Sequence, residues 1–317
     1  MPGARLGSDA RMAETVINDA RDSPARPLAG ALWMVLTGFL FVAMQALVKH
    51  VGDVVPAAQS AFLRYLLGLV FFLPVLPALL RLRLSARLHA AFAARGAIHS
   101  VGVLLWFFAM TQIPIAEVTA MNYLSPIYIA IGAALFLGET LKARRIAAIV
   151  IALLGALVIL RPGFREISPG HLAMLGTALS LAISYLMAKR MSAELSAAAV
   201  VALLSVWVTL ALAPVAAAVW VPVSWAQLGW LFLVAFFATA GHFTMTLAFK
   251  SAPITVTQPV TFLQLVWAAA SGAIFFAEPI DPWVVAGGSI IMGSVCFITW
   301  REAMLRRGAV AGSDPSG

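Results

Sequence analysis

The sequence predicts an all-α integral membrane protein whose ten transmembrane helices form two inverted five-helix repeats. Three observations predict it. Only 11% of the 317 residues are charged and 62% are hydrophobic, against about 25% charged in an ordinary soluble chain. Apolar runs long enough to cross the roughly 30 Å hydrocarbon layer as helices recur from Leu28 to Trp300. The first half of the chain also matches the second at a nearly constant offset. Backbone groups in lipid have no water partner, so a helical bundle is the default for such runs.

Residues 1–27 hold Arg5, Arg11, Arg21, Arg26, Asp9, Glu14, Asp19 and Asp22 without an apolar core. They are expected to be a disordered tail and not a signal peptide; Met12 is an alternative start to Met1. Spans are expected at 28–48, 58–80, 96–113, 116–138, 144–161, 170–188, 197–219, 227–249, 254–277 and 282–300. Tight turns at Pro114 and Pro253 join the third span to the fourth and the eighth to the ninth. Residues 302–317 form a second tail. Domain limits follow as 28–163 and 170–301.

Lysine and arginine orient the spans. With the N-terminus inside, the inner side holds Arg5, Arg11, Arg21, Arg26, Arg81, Arg83, Arg87, Arg95, Lys142, Arg144, Arg145, Lys189, Arg190, Lys250, Arg301, Arg306 and Arg307. The outer loops hold Arg161 and Arg165, and Lys49 and Arg64 fall at or within span ends. This bias predicts that both termini are cytoplasmic. The formal net charge of +8 then reflects topology and contact with anionic lipid, not a nucleic-acid partner. Trp33, Trp220, Trp225, Trp230, Trp283 and Trp300 fall near span ends, where an indole prefers the interface; Trp106, Trp207 and Trp267 do not.

The single cysteine, Cys296, and the scattered His50, His89, His99, His171 and His242 offer no disulfide framework or metal motif. No paired catalytic carboxylates and no phosphate loop are present, so no cofactor and no enzyme chemistry is expected.

Residues 30–50 align with 170–190 at an offset of 140: Gly30/Gly170, Leu32/Leu172, Met34/Met174, Thr37/Thr177 and Lys49/Lys189 are identical, as are Pro74 and Pro214. Residues 109–140 align with 248–279 at an offset of 139, with Pro114/Pro253, Ile115/Ile254, Leu124/Leu263, Phe136/Phe275 and Glu139/Glu278 identical. Five spans per copy is an odd number, so the second copy enters the membrane from the opposite side. Inverted repeats of this kind are characteristic of secondary transporters with a substrate site at the midplane.

Aligning the fourth and ninth spans pairs Thr119 with Gln258, Asn122 with Thr261, Ser125 with Gln264 and Tyr128 with Trp267. A spacing of three keeps each set near one helix face, and facing stripes would enclose a cavity. The bland alternative, polar residues as glue between helices, suits any single Ser or Thr. Asn122, Tyr128, Gln264 and Trp267 are expected to bind substrate, with Gln45, Trp106, Tyr185 and His242 as further candidates. Glu117 breaks the match, meeting Val256. Arg64 snorkels, pairs internally or meets a substrate carboxylate. Glu139 and Glu278, each closing the helix after its stripe, either gate the cavity or are loop charges. With no Asp or Glu at mid-span, transport is facilitative, an exchange, or coupled through His242 or a bound ion. Ala148, Ala152 and Ala156, and Ser289 with Gly293, make small-residue faces for contact in the bundle or in a homodimer.

The stretch "LSPIYIAIGAALFLGETLKARRIAAIVIALLGALVILRPG" at 124–163 resembles the EamA signature of the drug/metabolite transporter superfamily. "VWAAASGAIFFAEPIDPWVVAGGSIIMG" at 266–293 is similar to the second copy of that signature, with Ala277-Glu278 in place of Gly-Glu. "ALVKH" closing the first span resembles its neighbourhood too. The resemblance implies a ten-helix transporter of the bacterial inner membrane with a central cavity for a small polar or zwitterionic metabolite. Amino-acid-like compounds, opine-type metallophores, riboflavin and S-adenosylmethionine are the substrates it suggests, by import or export. A lipid flippase of the same superfamily is the alternative reading, and a membrane-embedded enzyme a remote one.

Overall fold

A computed structural model describes residues 26–52, 54–82, 84–137, 142–164, 166–191, 195 and 197–311. The expected first tail lies almost wholly outside these, as do residues 312–317 of the second and Glu139. Thirteen α-helices build ten spans among the described residues. The first half comprises α1 (Pro27–Gly52), α2 (Ala57–Gly68) continued by a 3₁₀ segment (Leu69–Val75) and α3 (Leu76–Leu80), α4 (Ala86–Gln112), α5 (Ile115–Asn122), α6 (Ser125–Leu137) and α7 (Ala143–Leu160). The second comprises α8 (Pro169–Met191), α9 (Ala197–Ala218), α10 (Trp225–Ser251), α11 (Ile254–Val260), α12 (Leu263–Phe276) and α13 (Pro282–Ala311). No strand occurs among the described residues. The side on which α1 starts is called here the near side and the opposite side the far side.

Three differences from expectation have local causes. The third span starts at Ala86, not 96, because the Ser85 side chain caps the helix by accepting the Leu88 N–H at 3.2 Å. Arg87 and Arg95 are therefore helical, and Arg95, counted above as a loop charge, is buried. The last helix runs on to Ala311, past the predicted end at 300. The fourth and ninth spans, expected to be continuous, are each broken in two, at Tyr123–Leu124 and at Thr261–Phe262. Pro126 and Pro259 lie beside these breaks and lack the N–H that would bond one turn back, to Asn122 and Thr255.

The packing itself carries the repeat. The closest pairs are α1 with α10 and α4 with α8, which are the same pair under the internal alignment, and α7 with α13. Glycines mark the equivalence. Gly102 of α4 presses on Leu181 of α8, while Gly241 of α10 presses on Phe41 of α1. Likewise Gly96 meets Trp207 where Gly68 meets Ala235, and Gly170 meets Gln112 and Ile113 where Gly30 meets Ala252. Thr37 bonds Thr244 across α1 and α10 at 2.8 Å, and its mate Thr177 donates to the Gly102 carbonyl across α8 and α4 at 3.2 Å. Each glycine contact recurs 139 or 140 residues on with the partners exchanged, as a two-fold axis between inverted halves requires. Ala148, Ala152 and Ala156 are buried, whereas Ser289 and Gly293 are exposed.

Two predictions follow from this packing. A Cβ on Gly287 would lie 2.5 Å from the Gly155 carbonyl oxygen, and one on Gly155 2.9 Å from that of Gly287. Gly287→Ala should destabilise the detergent-solubilised protein by about 1–3 kcal/mol, the usual range for overpacking. Gly293→Ala, which meets nothing within 4 Å, should leave the melting temperature unchanged. Ala277 closes α12 at φ 52°, a left-handed conformation that suits glycine, and its sequence mate is Gly138. Ala277→Gly should raise stability by about 1 kcal/mol in the same thermal assay.

Candidate functional site

The two helix breaks meet. Tyr123, at the break between α5 and α6, donates its hydroxyl hydrogen to the carbonyl of Thr261, at the break between α11 and α12, at 3.1 Å. Broken helices at membrane depth are tolerated only where protein or a wet cavity takes up the freed backbone groups. Beside this contact the Asn122 Oδ1 and the Ser125 Oγ are buried and have no hydrogen-bond partner among the described residues. Polar atoms left that way are uncommon and call for an explanation.

The predicted stripes divide between the two roles weighed for them. Thr119 donates to the Gln45 amide oxygen at 3.0 Å, and both residues are buried, tying α5 to α1. Gln258 and Thr261 face the Met292 sulfur on α13, at 4.0 and 3.7 Å, instead of a cavity. Gln264 is half-buried, with Gly38 of α1 packed against it. Trp106 and Tyr128 are half-buried against the main apolar core, Trp106 edge-on to Phe107. Trp267 is 39% exposed and shares its helix face with the exposed Leu263 and Ile274.

A second polar group occupies the interior where α2, α4, α8 and α10 converge. The Tyr65 hydroxyl lies 3.1 Å from His99 Nε2, and His99 Nδ1 lies 3.0 Å from the Ser184 hydroxyl. Arg95 donates from Nε to the Ser184 carbonyl at 3.1 Å and from a terminal nitrogen to the Val200 carbonyl at 3.3 Å. Tyr185 is within electrostatic reach of Arg95 and Tyr65, and His242 within reach of Arg64 and His99. Tyr185 is nonetheless 44% exposed, and His242 is exposed while its ring packs edge-on to Phe41 at 5.1 Å.

Of the roles expected for Arg64, an internal ion pair is not formed with any described carboxylate; its guanidinium carbon lies 4.2 Å from the centre of the Tyr65 ring. An arginine at the centre of a span costs about 2.5–3.5 kcal/mol on insertion, of which a cation–π contact returns only about 0.5–2 kcal/mol.

Glu278 ties the far side together. Its Oε2 accepts the Ile115 N–H at 2.9 Å, at the start of α5, and its carboxylate pairs with Lys49 at the end of α1. Lys49 also donates to the Ile113 carbonyl at 3.0 Å. A carboxylate at a helix N-terminus is favoured by the free N–H groups there. Nearby, Arg161 pairs with Asp281, joining α7 to α13. Another pair escaped the sequence reading. Glu117, noted only as a mismatch, is buried against His171 of α8 at 2.5 Å. His171 Nδ1 accepts the Ser168 N–H at 3.1 Å, which leaves its Nε2 to carry the proton toward Glu117. The signal was present, since His171 opens the sixth span two residues after Pro169, but nothing in the sequence joined it to Glu117.

Comparison with known proteins agrees with this architecture. The sequence profile described as the EamA-like transporter family matches twice, over 28–161 and 168–300. The riboflavin transporter of Rhizobium johnstonii is 29% identical over 90% of this chain and 95% of its own. The pseudopaline exporter of Pseudomonas aeruginosa is 28% identical over 83% and 93%, and the S-adenosylmethionine uptake transporter of Rickettsia prowazekii 24% over 87% and 94%. One solved crystal structure covers 88% of this chain and 97% of its own with a TM-score of 0.53 at 20% identity, a likeness of fold. With ten membrane-spanning helices, interlocked halves and both halves matched, the chain belongs to the EamA-like transporter family.

Proposed function

We propose that this protein carries a small polar organic metabolite across the bacterial inner membrane by alternating access, with both termini in the cytoplasm. The carrying observation is the meeting of the two broken spans through Tyr123 and Thr261, with Asn122 Oδ1 and Ser125 Oγ unpartnered beside it. Half-helix ends and freed polar groups at the interface of inverted repeats are where carriers of this architecture hold their cargo. The relatives named above move a flavin, an exported compound and a sulfonium nucleoside, so a cargo with a flat apolar part and polar groups suits Tyr185 and Trp106. Orientation rests on the lysine and arginine bias, which places the near side in the cytoplasm. On this reading Glu278 and Lys49 latch the cavity shut on the periplasmic side.

Purified protein in liposomes, offered riboflavin, S-adenosylmethionine, amino acids and opine-type chelators, tests the reading. Flux of at least one is expected. Asn122→Ala should cut that flux about tenfold with no change in melting temperature, the loss expected for one hydrogen bond to cargo. Absence of flux for every compound defeats the carrier.

The latch is tested in cells. In a Cys296→Ser background, a cysteine introduced by Asn122→Cys should react slowly with a membrane-impermeant maleimide added outside. Adding Glu278→Gln should speed that reaction severalfold, because the Lys49 ammonium loses its counter-charge and the far-side helices separate. Equal rates with and without Glu278→Gln would show that Glu278 is no gate.

A further inference from the structure

The two halves of this protein serve as controls for each other. A side chain required by the scaffold should have a mate of similar chemistry 139 or 140 residues away, as Thr37 and Thr177 do. The cationic group in the interior has no such mate. Arg64 corresponds to Leu203 or Leu204, Arg95 to Val234, His99 to Ala238 and His242 to Val103. The second half packs the same helix pairs in the same way with apolar residues at those places. The packing that the halves share therefore does not by itself call for these charges.

The charges also differ among themselves. Arg95 is buried, and two of its nitrogens donate to the Ser184 and Val200 carbonyls. Arg64 is half-buried and rests on the Tyr65 ring, within electrostatic reach of His99 and His242, and no described carboxylate pairs with it. Tyr65 is itself fixed by its bond to His99. The stack holds the guanidinium in place without consuming its fork of N–H donors, the arrangement that matches a carboxylate.

We propose that Arg64, held on Tyr65, is an anion subsite of the cargo cavity, and that the transported molecule carries a carboxylate which Arg64 receives. One guanidinium free to bind anions offers one formal charge, which fits a carboxylate better than a doubly charged phosphate. Because the site lies in one half only, the cargo binds in one orientation, with its carboxylate toward α2 and α10. The proposal rests on the carrier reading for its role in transport but not for binding.

The test separates the two. Melting temperature of the purified protein is recorded with carboxylates and with their amides: benzoate, indole-3-acetate, L-tryptophan and citrate and the corresponding amides. A ligand that binds the native state raises it. At least one acid should stabilise the wild type while its amide does not, and Arg64→Gln should remove that shift. Arg64→Lys, which keeps the charge but not the fork, should retain part of it, and the surface substitution Arg144→Gln should retain all of it. In liposomes loaded with the same acid, Arg64→Gln should raise KM at least tenfold and leave amide flux within twofold. A shift of equal size in Arg64→Gln, or none in the wild type with any acid, overturns the subsite. Stabilisation without flux keeps the subsite and defeats the carrier.

Discussion

In hydrocarbon no water completes a broken hydrogen-bond ladder, and the architecture follows from that constraint. Most spans satisfy it largely within their own helices, although Pro74 in the second and Pro214 in the seventh each lack an N–H. The fourth and ninth do not, because Pro126 and Pro259 each withhold a donor. Their loose backbone groups have to be satisfied by one another or by something bound between them. The Thr261 carbonyl accepts the Tyr123 hydroxyl, and beside it the side-chain oxygens of Asn122 and Ser125 have no partner among the described residues. Two broken helices and two unpartnered side-chain oxygens thus lie where the two halves meet.

Around that centre the scaffold is held by close backbone approach, since lipid supplies no hydrophobic drive between helices. Glycines at 68, 96, 102, 155, 170, 241 and 287 allow helices to touch without intervening side chains. Among the described residues, acid–base pairs tie helix ends together: Lys49–Glu278, Arg161–Asp281 and Glu117–His171 on the far side and Arg145–Glu302 on the near side.

Much of the fold was legible because lipid imposes simple rules. Length and hydropathy located the spans, and the matched Gly30/Gly170, Thr37/Thr177 and Pro114/Pro253 exposed the duplication. The breaks were not read, although Pro126 and Pro259 were in view, because hydropathy does not register a missing N–H. The site was legible only in outline. A spacing of three places Gln258 and Thr261 on one face but does not say that Met292 covers it. Whether Gln45 faces cargo or Thr119 depends on the crossing of α1 and α5, which no one-dimensional pattern contains. Glu117 and His171 are 54 residues apart, and only the fold joins them. Glu139 falls outside the described residues, so Glu278 alone speaks for the paired acids.

The exchange of partners between halves bears on how such a molecule can move. Its tightest units, α1 with α10 and α4 with α8, each draw one helix from either copy of the duplicated sequence. The copies are therefore units of ancestry and not of mechanics. A rigid body in this carrier is a hybrid of both, and the segment joining the copies at 162–168 need not act as a hinge. Each copy taken alone would present its glycine faces to lipid with nothing to seat against them. Neither copy can then change along those faces without the other, which binds the evolution of the two halves as firmly as their helices.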